Sequence, residues 1–364
     1  MKIAFYGSSL LSSYWNGAAT YYRGLLRALA ALGYDITFFE PDVYDRSRHR
    51  DLEPPDWCRV EVYEATPQSL LDVARRAVEA DIVVKASGVG YEDEALLLEV
   101  LRHARPDALT VFWDVDAPAT LAQLRTEPYH PLHRLLKRVD LVLTYGGGDA
   151  VIEAYRAFGA AACFPIYNAL DPLTHHPVTA EARFGADLGF LGNRLPDRES
   201  RVDSFFFEAA RRLPERRFIL GGAGWGDRDL PSNVRWVGHV GTADHNAFNA
   251  SPMAVLNINR ASMAETGFSP PTRIFEAAGA GACVITDVWP GIDKFLMPGE
   301  EILVVRDGLD LAEVIAQLQP PDARELGQAA LCRVTAEHTY AHRAAEADAI
   351  LRRYARQRTA EAAE

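Results

Sequence analysis

The residues best suited to chemistry lie between Gly267 and Asp287, which read Gly-Phe-Ser-Pro-Pro-Thr-Arg-Ile-Phe-Glu-Ala-Ala-Gly-Ala-Gly-Ala-Cys-Val-Ile-Thr-Asp. Pro270 and Pro271 fix the chain just ahead of a helix whose expected cap is Thr272. Such a helix start presents unpaired backbone N–H groups and the positive end of the helix dipole, a setting that suits a phosphate. Ser269 stands at its entry, and Arg273, in the first turn, can reach phosphate oxygens. Glu276, three residues beyond Arg273 on the same face, is placed to accept hydrogen bonds from vicinal ribose hydroxyls. Two plainer readings stay open for Glu276: a capping box with Thr272, or a pair with Arg273 on a solvated face.

A second group of carboxylates ends an apolar run, Val111-Phe-Trp-Asp114-Val-Asp116-Ala-Pro118. A carboxylate at the C-terminal edge of a parallel strand faces the crevice where doubly wound sheets take ligands. Asp114 and Asp116 are therefore candidates for base catalysis or acceptor binding, Asp116 being preferred. Asp-x-Asp also chelates divalent ions through oxygen, and a buried or loop-capping role is the third possibility; no metal is expected here.

The glycine clusters carry less. Gly221-Gly-Ala-Gly224-Trp-Gly226 fails the dinucleotide pattern because Asp227 takes the place of its last glycine. It reads as a loop approaching a phosphate around Gly224, or as a plain turn. Gly146-Gly147-Gly148 follows a strand and opens a helix, so Gly147 lines a ligand crevice or serves only tight strand–helix packing. The histidines form no set with metal-ligand spacing: His130 and His133 flank Pro131, and His175-His176 lies in a linker-like stretch.

These residues need a frame, and the hydrophobic pattern supplies one. In the first half, short apolar runs (2–6, 36–39, 82–85, 109–113, 141–145) alternate with helical patterns (18–32, 69–78, 93–103, 150–158). Apolar runs of this sort are expected when helices cover both faces of a parallel sheet. A stretch rich in Pro, His and small residues, 168–183, interrupts the alternation. It resumes with expected strands at 187–191, 218–220, 234–237, 254–258, 283–286 and 302–305. The expected organisation is an α/β protein of two tandem Rossmann-like domains, residues 1–170 and 171–340. A terminal helix, 341–364, is expected to pack back on the first.

Composition narrows the function classes. The chain has 364 residues, 48% hydrophobic and 24% charged, with a net charge of −12. Those proportions are ordinary for a globular protein, and the charge disfavours binding to nucleic acid or to anionic lipid surfaces. The four cysteines, Cys58, Cys163, Cys283 and Cys332, stand singly, which fits a reducing, cytoplasmic setting. No apolar stretch reaches the roughly 18 residues of a spanning helix, and the run from Ile3 to Tyr6 is too short for a signal peptide.

The segment Ser-Pro-Pro-Thr-Arg-Ile-Phe-Glu-Ala-Ala resembles the donor-binding signature of GT-B glycosyltransferases of the group 1 type, in wording closest to their CgeB-like (spore maturation protein) branch. Three further segments fall in that family's order. Ile166-Tyr-Asn168-Ala-Leu-Asp171 resembles its interdomain motif. Leu188-Gly-Phe-Leu-Gly192-Asn193-Arg194 resembles the first strand and phosphate loop of its donor domain. Val234-Arg-Trp-Val-Gly238-His239-Val240 resembles the strand and loop that border the base.

The resemblance implies a GT-B fold with its domains facing each other across a cleft, and transfer of a sugar from a nucleotide-diphospho-sugar without a metal or resident cofactor. The base (UDP, GDP or dTDP) and the acceptor, whether small molecule, glycan or protein, stay open. It implies donor contacts from Asn193, Arg194, Gly224, His239, Ser269, Thr272, Arg273 and Glu276. It also implies an acceptor or phosphate loop near Ser8, Ser9, Asn16, Gly17 and Gly147. A sugar-nucleotide epimerase or hydrolase, or a silent sugar-binding or assembly protein, is the alternative. Two departures bear on this: the family's second acidic residue, eight positions before the ribose Glu, falls on Phe268 with Glu265 the nearest carboxylate. The histidine that retaining members place at the end of an N-domain strand is replaced by the acidic 114–116 segment.

Overall fold

The computed structural model describes residues 1–12 and 18–363. They divide into two units. One comprises residues from Met1 to Asn168 together with the closing segment from Tyr340, and the other runs from Ala169 to Thr339.

The first unit is built on seven parallel strands: β1 (Lys2–Tyr6), β2 (Asp35–Asp42), β3 (Arg59–Glu64), β4 (Ile82–Ala86), β5 (Leu109–Asp114), β6 (Leu141–Thr144) and β7 (Cys163–Pro165). Their order across the sheet is β3-β2-β1-β4-β5-β6-β7. Ile3 registers with Ile36 on one side and Ile82 on the other. The interior strands β4, β5 and β6 are buried at every position, which is why they read as continuous apolar runs. The strands that the hydrophobic pattern does not reveal are the outermost pair. β3 reads Arg-Val-Glu-Val-Tyr-Glu, a half-solvated edge, and β7 has only three residues.

The second unit repeats the plan with β8 (Leu188–Leu191), β9 (Phe218–Gly221), β10 (Val234–Trp236), β11 (Ala254–Asn257), β12 (Val284–Asp287) and β13 (Leu303–Val305), ordered β10-β9-β8-β11-β12-β13. Its core gathers Phe190, Phe206, Phe207, Phe218 and Trp225. Three consecutive phenylalanines, Phe205 to Phe207, are all buried, more than one stripe of a regular α-helix can turn inward. The helical run Pro196–Arg212 accommodates them by a π turn over Asp203–Phe207.

In both sheets the strand order reverses beside the first strand of the unit, between β1 and β4 and between β8 and β11. That is where doubly wound sheets open a ligand crevice beyond their carboxyl edges. The last helix, Tyr340–Ala362, belongs to the first unit and packs on helix Ala18–Ala31. The Tyr340 ring sits so close to Gly24 that a Cβ there would lie 2.1 Å from it, so only glycine fits. Among the described residues no helix is long and apolar enough to cross a membrane.

Candidate functional site

The two prolines hold the entry extended through Pro271 (φ −69°, ψ 151°), and the helix begins at Thr272. Thr272 is thus the first helical residue, correcting the expectation that it is the cap. Its hydroxyl reaches along the helix to the Glu276 carboxylate one turn on. This i,i+4 pair takes the place of a capping box.

Glu276 is buried, 7% exposed. Burial alone would raise its carboxyl, but His175, Arg273, His245 and the Thr272 hydroxyl outweigh it and hold the group below the ordinary glutamate range. Arg273 is pulled below its usual value by burial, against the attraction of Glu276. The Arg273 Nη1 atom is buried and has no hydrogen-bond partner among the described residues. The same holds of His175 Nε2, whose ring stands beside Glu276, and of Asn249 Nδ2 and Asn246 Oδ1 on the helix His245–Ala250, which packs on the Glu276 helix. Burial pushes His245 down to about 4, Glu276 opposing, so its imidazole is neutral near pH 7.

The histidines correct the sequence reading. His175 does have companions: it, His245 and Glu276 each offer a ligand atom within 4.8 Å of the others. No spacing rule could find this set, because its members come from a loop, a helix start and a second helix, with tens of residues between them.

The other donor-side candidates fall at the carboxyl edges of β8, β9 and β10. Gly222 (φ 121°) packs so tightly that a Cβ would sit 2.2 Å from the Gly192 carbonyl oxygen, and Gly224 (φ 86°) lies against Arg194. Asn193 spends its Oδ1 on the Ala223 backbone N–H at 2.9 Å. Arg194 pairs with Glu199 at 2.7 Å and Asp227 at 2.9 Å. The glycine run and the 192–194 loop therefore brace each other, and Arg194 can meet a phosphate only by leaving these carboxylates. His239 is exposed in the loop after β10.

Beyond β11, Asn259 is 2% exposed and its Nδ2 lacks a partner among the described residues. Sequence reasoning passed over this residue, whose only signal is a buried amide at the carboxyl edge of a strand. Ser269 is buried, its hydroxyl donating to the Gly267 carbonyl at 3.0 Å. Phe268, where the resembled family has its second acid, adopts φ 47° and seats its ring where a Cβ on Gly291 would fall, 2.3 Å away. A left-handed phenylalanine is a costly conformation, of the kind that clusters at ligand sites. Glu265 is exposed on the helix Ala261–Thr266.

In the first unit Asp114 is fully buried at the end of β5. Its Oδ1 accepts from Ser87 Oγ at 2.7 Å, the Asp116 backbone N–H at 3.0 Å and Thr120 Oγ1 at 3.1 Å. Its Oδ2 accepts a short bond from the Tyr155 hydroxyl. Burial raises its carboxyl, and these four donors oppose the rise. With both oxygens committed to the protein, the geometry fits the loop-holding alternative for Asp114. Asp116 is half-buried at the start of helix Ala117–Thr126, its side chain making no cap bond. Ser8 and Ser9 are buried in a loop pinned from within: Arg46 donates to the Ser8 carbonyl at 2.6 Å, and Ser9 Oγ accepts from the Leu11 and Ser12 backbone. Gly147 (φ 96°) packs on Val151, as its packing alternative requires. Asn16 and Gly17 lie outside the described residues.

The whole chain superposes on sucrose-phosphate synthase of Thermosynechococcus elongatus, with a TM-score of 0.69 over 97% of this chain and 98% of that one at 18% identity. The fold is GT-B. A similar match is made to HepE of Anabaena in complex with UDP and glucose (TM-score 0.68, 16% identity, 96% and 99% covered). AviGT4, a glycosyltransferase involved in avilamycin A biosynthesis, gives 0.59 at 17% identity over 98% of both chains. Residues 198–349 match a family described as glycosyl transferase-like, a span that takes in the Glu276 helix and most of the second GT-B unit. No curated protein sequence matches the chain.

Proposed function

We propose that this GT-B protein is a glycosyltransferase of the group 1 type, and of its CgeB-like branch, that takes a sugar from a nucleotide-diphospho-sugar held on the second unit. One observation carries the reading. Around a buried, ionised Glu276, at the mouth of a proline-opened helix, several buried polar atoms have no protein partner. Buried polar groups are nearly always satisfied, so an arrangement of this kind is completed by a polar ligand. Ribose hydroxyls donating to Glu276 and a diphosphate accepting from Arg273 would do so. Arg273 would also meet the charge that grows on the leaving diphosphate, the task of preorganised donors in such a reaction. The helix start at Thr272 adds backbone N–H groups to the same end.

The reaction in this reading uses no metal, since a guanidinium and backbone donors serve the diphosphate. The first unit is the acceptor side. There Asp116, not the sealed Asp114, is the carboxylate left to deprotonate an acceptor hydroxyl if the anomeric centre inverts. Because the similar HepE structure holds UDP, that nucleotide is the first to test. The experiment is to follow nucleotide release from UDP-, GDP- and dTDP-linked sugars, with and without candidate acceptors. Acceptor-dependent release supports a transferase, and acceptor-independent release would make the protein a hydrolase. Binding with no release would make it a silent binder.

A further inference from the structure

We infer that His175, His245 and Glu276 form a binding site for a zinc-class divalent cation, competitive with the nucleotide. Three observations converge on it, the first two independent of the donor-site reading. First, the ligand atoms are gathered in one place and largely out of water: all lie within 4.8 Å of one another, His175 is 4% exposed and Glu276 is 7% exposed. Zinc bonds of about 2.0–2.2 Å ask tetrahedral ligands to stand roughly 3.3 Å apart. Small side-chain rotations of the half-buried His245 and of Glu276 close that gap.

Second, each imidazole is held by a contact to its surroundings. His175 Nδ1 lies 3.0 Å from the Thr174 hydroxyl, which also meets the Asp171 carbonyl at 3.2 Å. That contact engages Nδ1, and Nε2 is the ring nitrogen left without a protein partner among the described residues. His245 in turn is bonded to the Val240 backbone. Metal-binding histidines are held in this way, the second nitrogen donating to a nearby oxygen so that the first presents its lone pair.

Third, His175 Nε2 is buried with no hydrogen-bond partner among the described residues. A buried polar nitrogen without a partner is expensive, and a cation bound through that nitrogen satisfies it where an ordinary packing role does not.

The neighbouring Arg273 decides which ion enters. A hard cation would find one carboxylate oxygen site and a guanidinium to repel it, whereas zinc, nickel or cobalt gains two imidazole bonds as well. Magnesium and calcium, which prefer all-oxygen shells, are excluded on the same ground. Since Glu276 cannot bind ribose and metal together, the cation acts as an inhibitor. This last clause alone rests on the proposed donor role of Glu276.

The test is a calorimetric titration of Zn²⁺ into chelator-treated full-length protein, repeated in the presence of saturating UDP. One equivalent should bind. His175→Ala and His245→Ala should each weaken binding by at least the ~10–100-fold that follows loss of even an outer-shell partner. Thr174→Val, which frees Nδ1 without touching a ligand atom, should fall within that range. His176→Ala, an exposed neighbour, should change nothing and so guards against surface binding. Circular dichroism checks that each variant is folded. Absence of one-equivalent binding, or binding indifferent to His175→Ala and His245→Ala, overturns the site. If zinc binds and UDP does not, the metal site stands and the donor reading fails. If both bind without competing, the shared use of Glu276 is overturned.

Discussion

Two buried carboxylates, one in each unit, sit near the carboxyl edge of a parallel sheet and face opposite circumstances. Asp114 has four protein donors on its two oxygens, drawn from the loop after β4, its own turn, and two helices. Glu276 has the Thr272 hydroxyl and is otherwise ringed by polar groups several of which lack a partner, Arg273 Nη1 and His175 Nε2 among them. Both sit in low-dielectric surroundings, yet Asp114 is raised above its usual value and Glu276 is lowered below it. The difference lies in what surrounds them: neutral hydroxyls and one backbone N–H for Asp114, a guanidinium and two imidazoles for Glu276. A completed network holds a fold in place. An incomplete one, its carboxylate kept ionised by the groups around it, is arranged for something that arrives from outside.

The comparison can be broken most forcefully at Asp116, two residues beyond the sealed carboxylate. As a base, Asp116→Asn should reduce kcat by about 10²–10⁴-fold in a nucleotide-release assay, leaving UDP affinity unchanged. A rise confined to the acceptor KM would reduce Asp116 to an orienting group, and a product of retained configuration beside a collapsed kcat would refute both roles.

Asp114→Asn comes next. It replaces one acceptor oxygen by a donor facing a donor, and should lower stability by about 1–3 kcal/mol, read as a lower urea midpoint at constant m-value. Nucleotide affinity should not move; if it does, Asp114 belongs to the site. The pH dependence carries a sign. Burial raises the folded carboxyl above its ordinary 3.8, so the native state binds the proton first on acidification. That contribution to stability is full below about 3.8 and is lost as pH rises through the folded value. The deficit of the Asn variant should therefore widen as pH falls toward 4.

The smallest expected effect is that of metal removal. Chelation should leave turnover intact, because Arg273 and backbone donors serve the diphosphate. Loss of activity with EDTA and recovery with Mn²⁺ would show that a cation does that work instead.

Much of this was legible in the amino-acid sequence, for reasons that differ by element. Most strands of the second unit stand out because they are short apolar runs bounded by turns, β10 (Val-Arg-Trp) being the exception. β3 escaped because both its faces are partly solvated, Arg59 on one and Val62 and Glu64 on the other being exposed, and β7 because three residues make no pattern. The helix bearing Arg273 and Glu276 announced itself through Pro270-Pro271, although the start fell one residue away from the usual cap grammar. What the sequence could not disclose was closure in space. Nothing in Asp114-Val-Asp116 distinguishes a carboxylate enclosed by Ser87, Thr120 and Tyr155 from one that is half-buried. Likewise nothing joins His175 to His245, or marks Asn259 as an amide without a partner. Those facts arise when separate βα units are brought together by the sheet.

The central claim, that the incomplete polar ring around Glu276 is where the nucleotide binds, is tested most directly by titrating UDP, and then GDP and dTDP, into the wild-type protein and Glu276→Ala in a calorimeter. At least one nucleotide should bind the wild type, and the variant, still folded by circular dichroism, should bind it more weakly by about 1–3 kcal/mol, the cost of unpairing a charged acceptor. An unchanged dissociation constant would make Glu276 a structural partner of Thr272 and Arg273, and failure of all three nucleotides to bind would contradict the account outright.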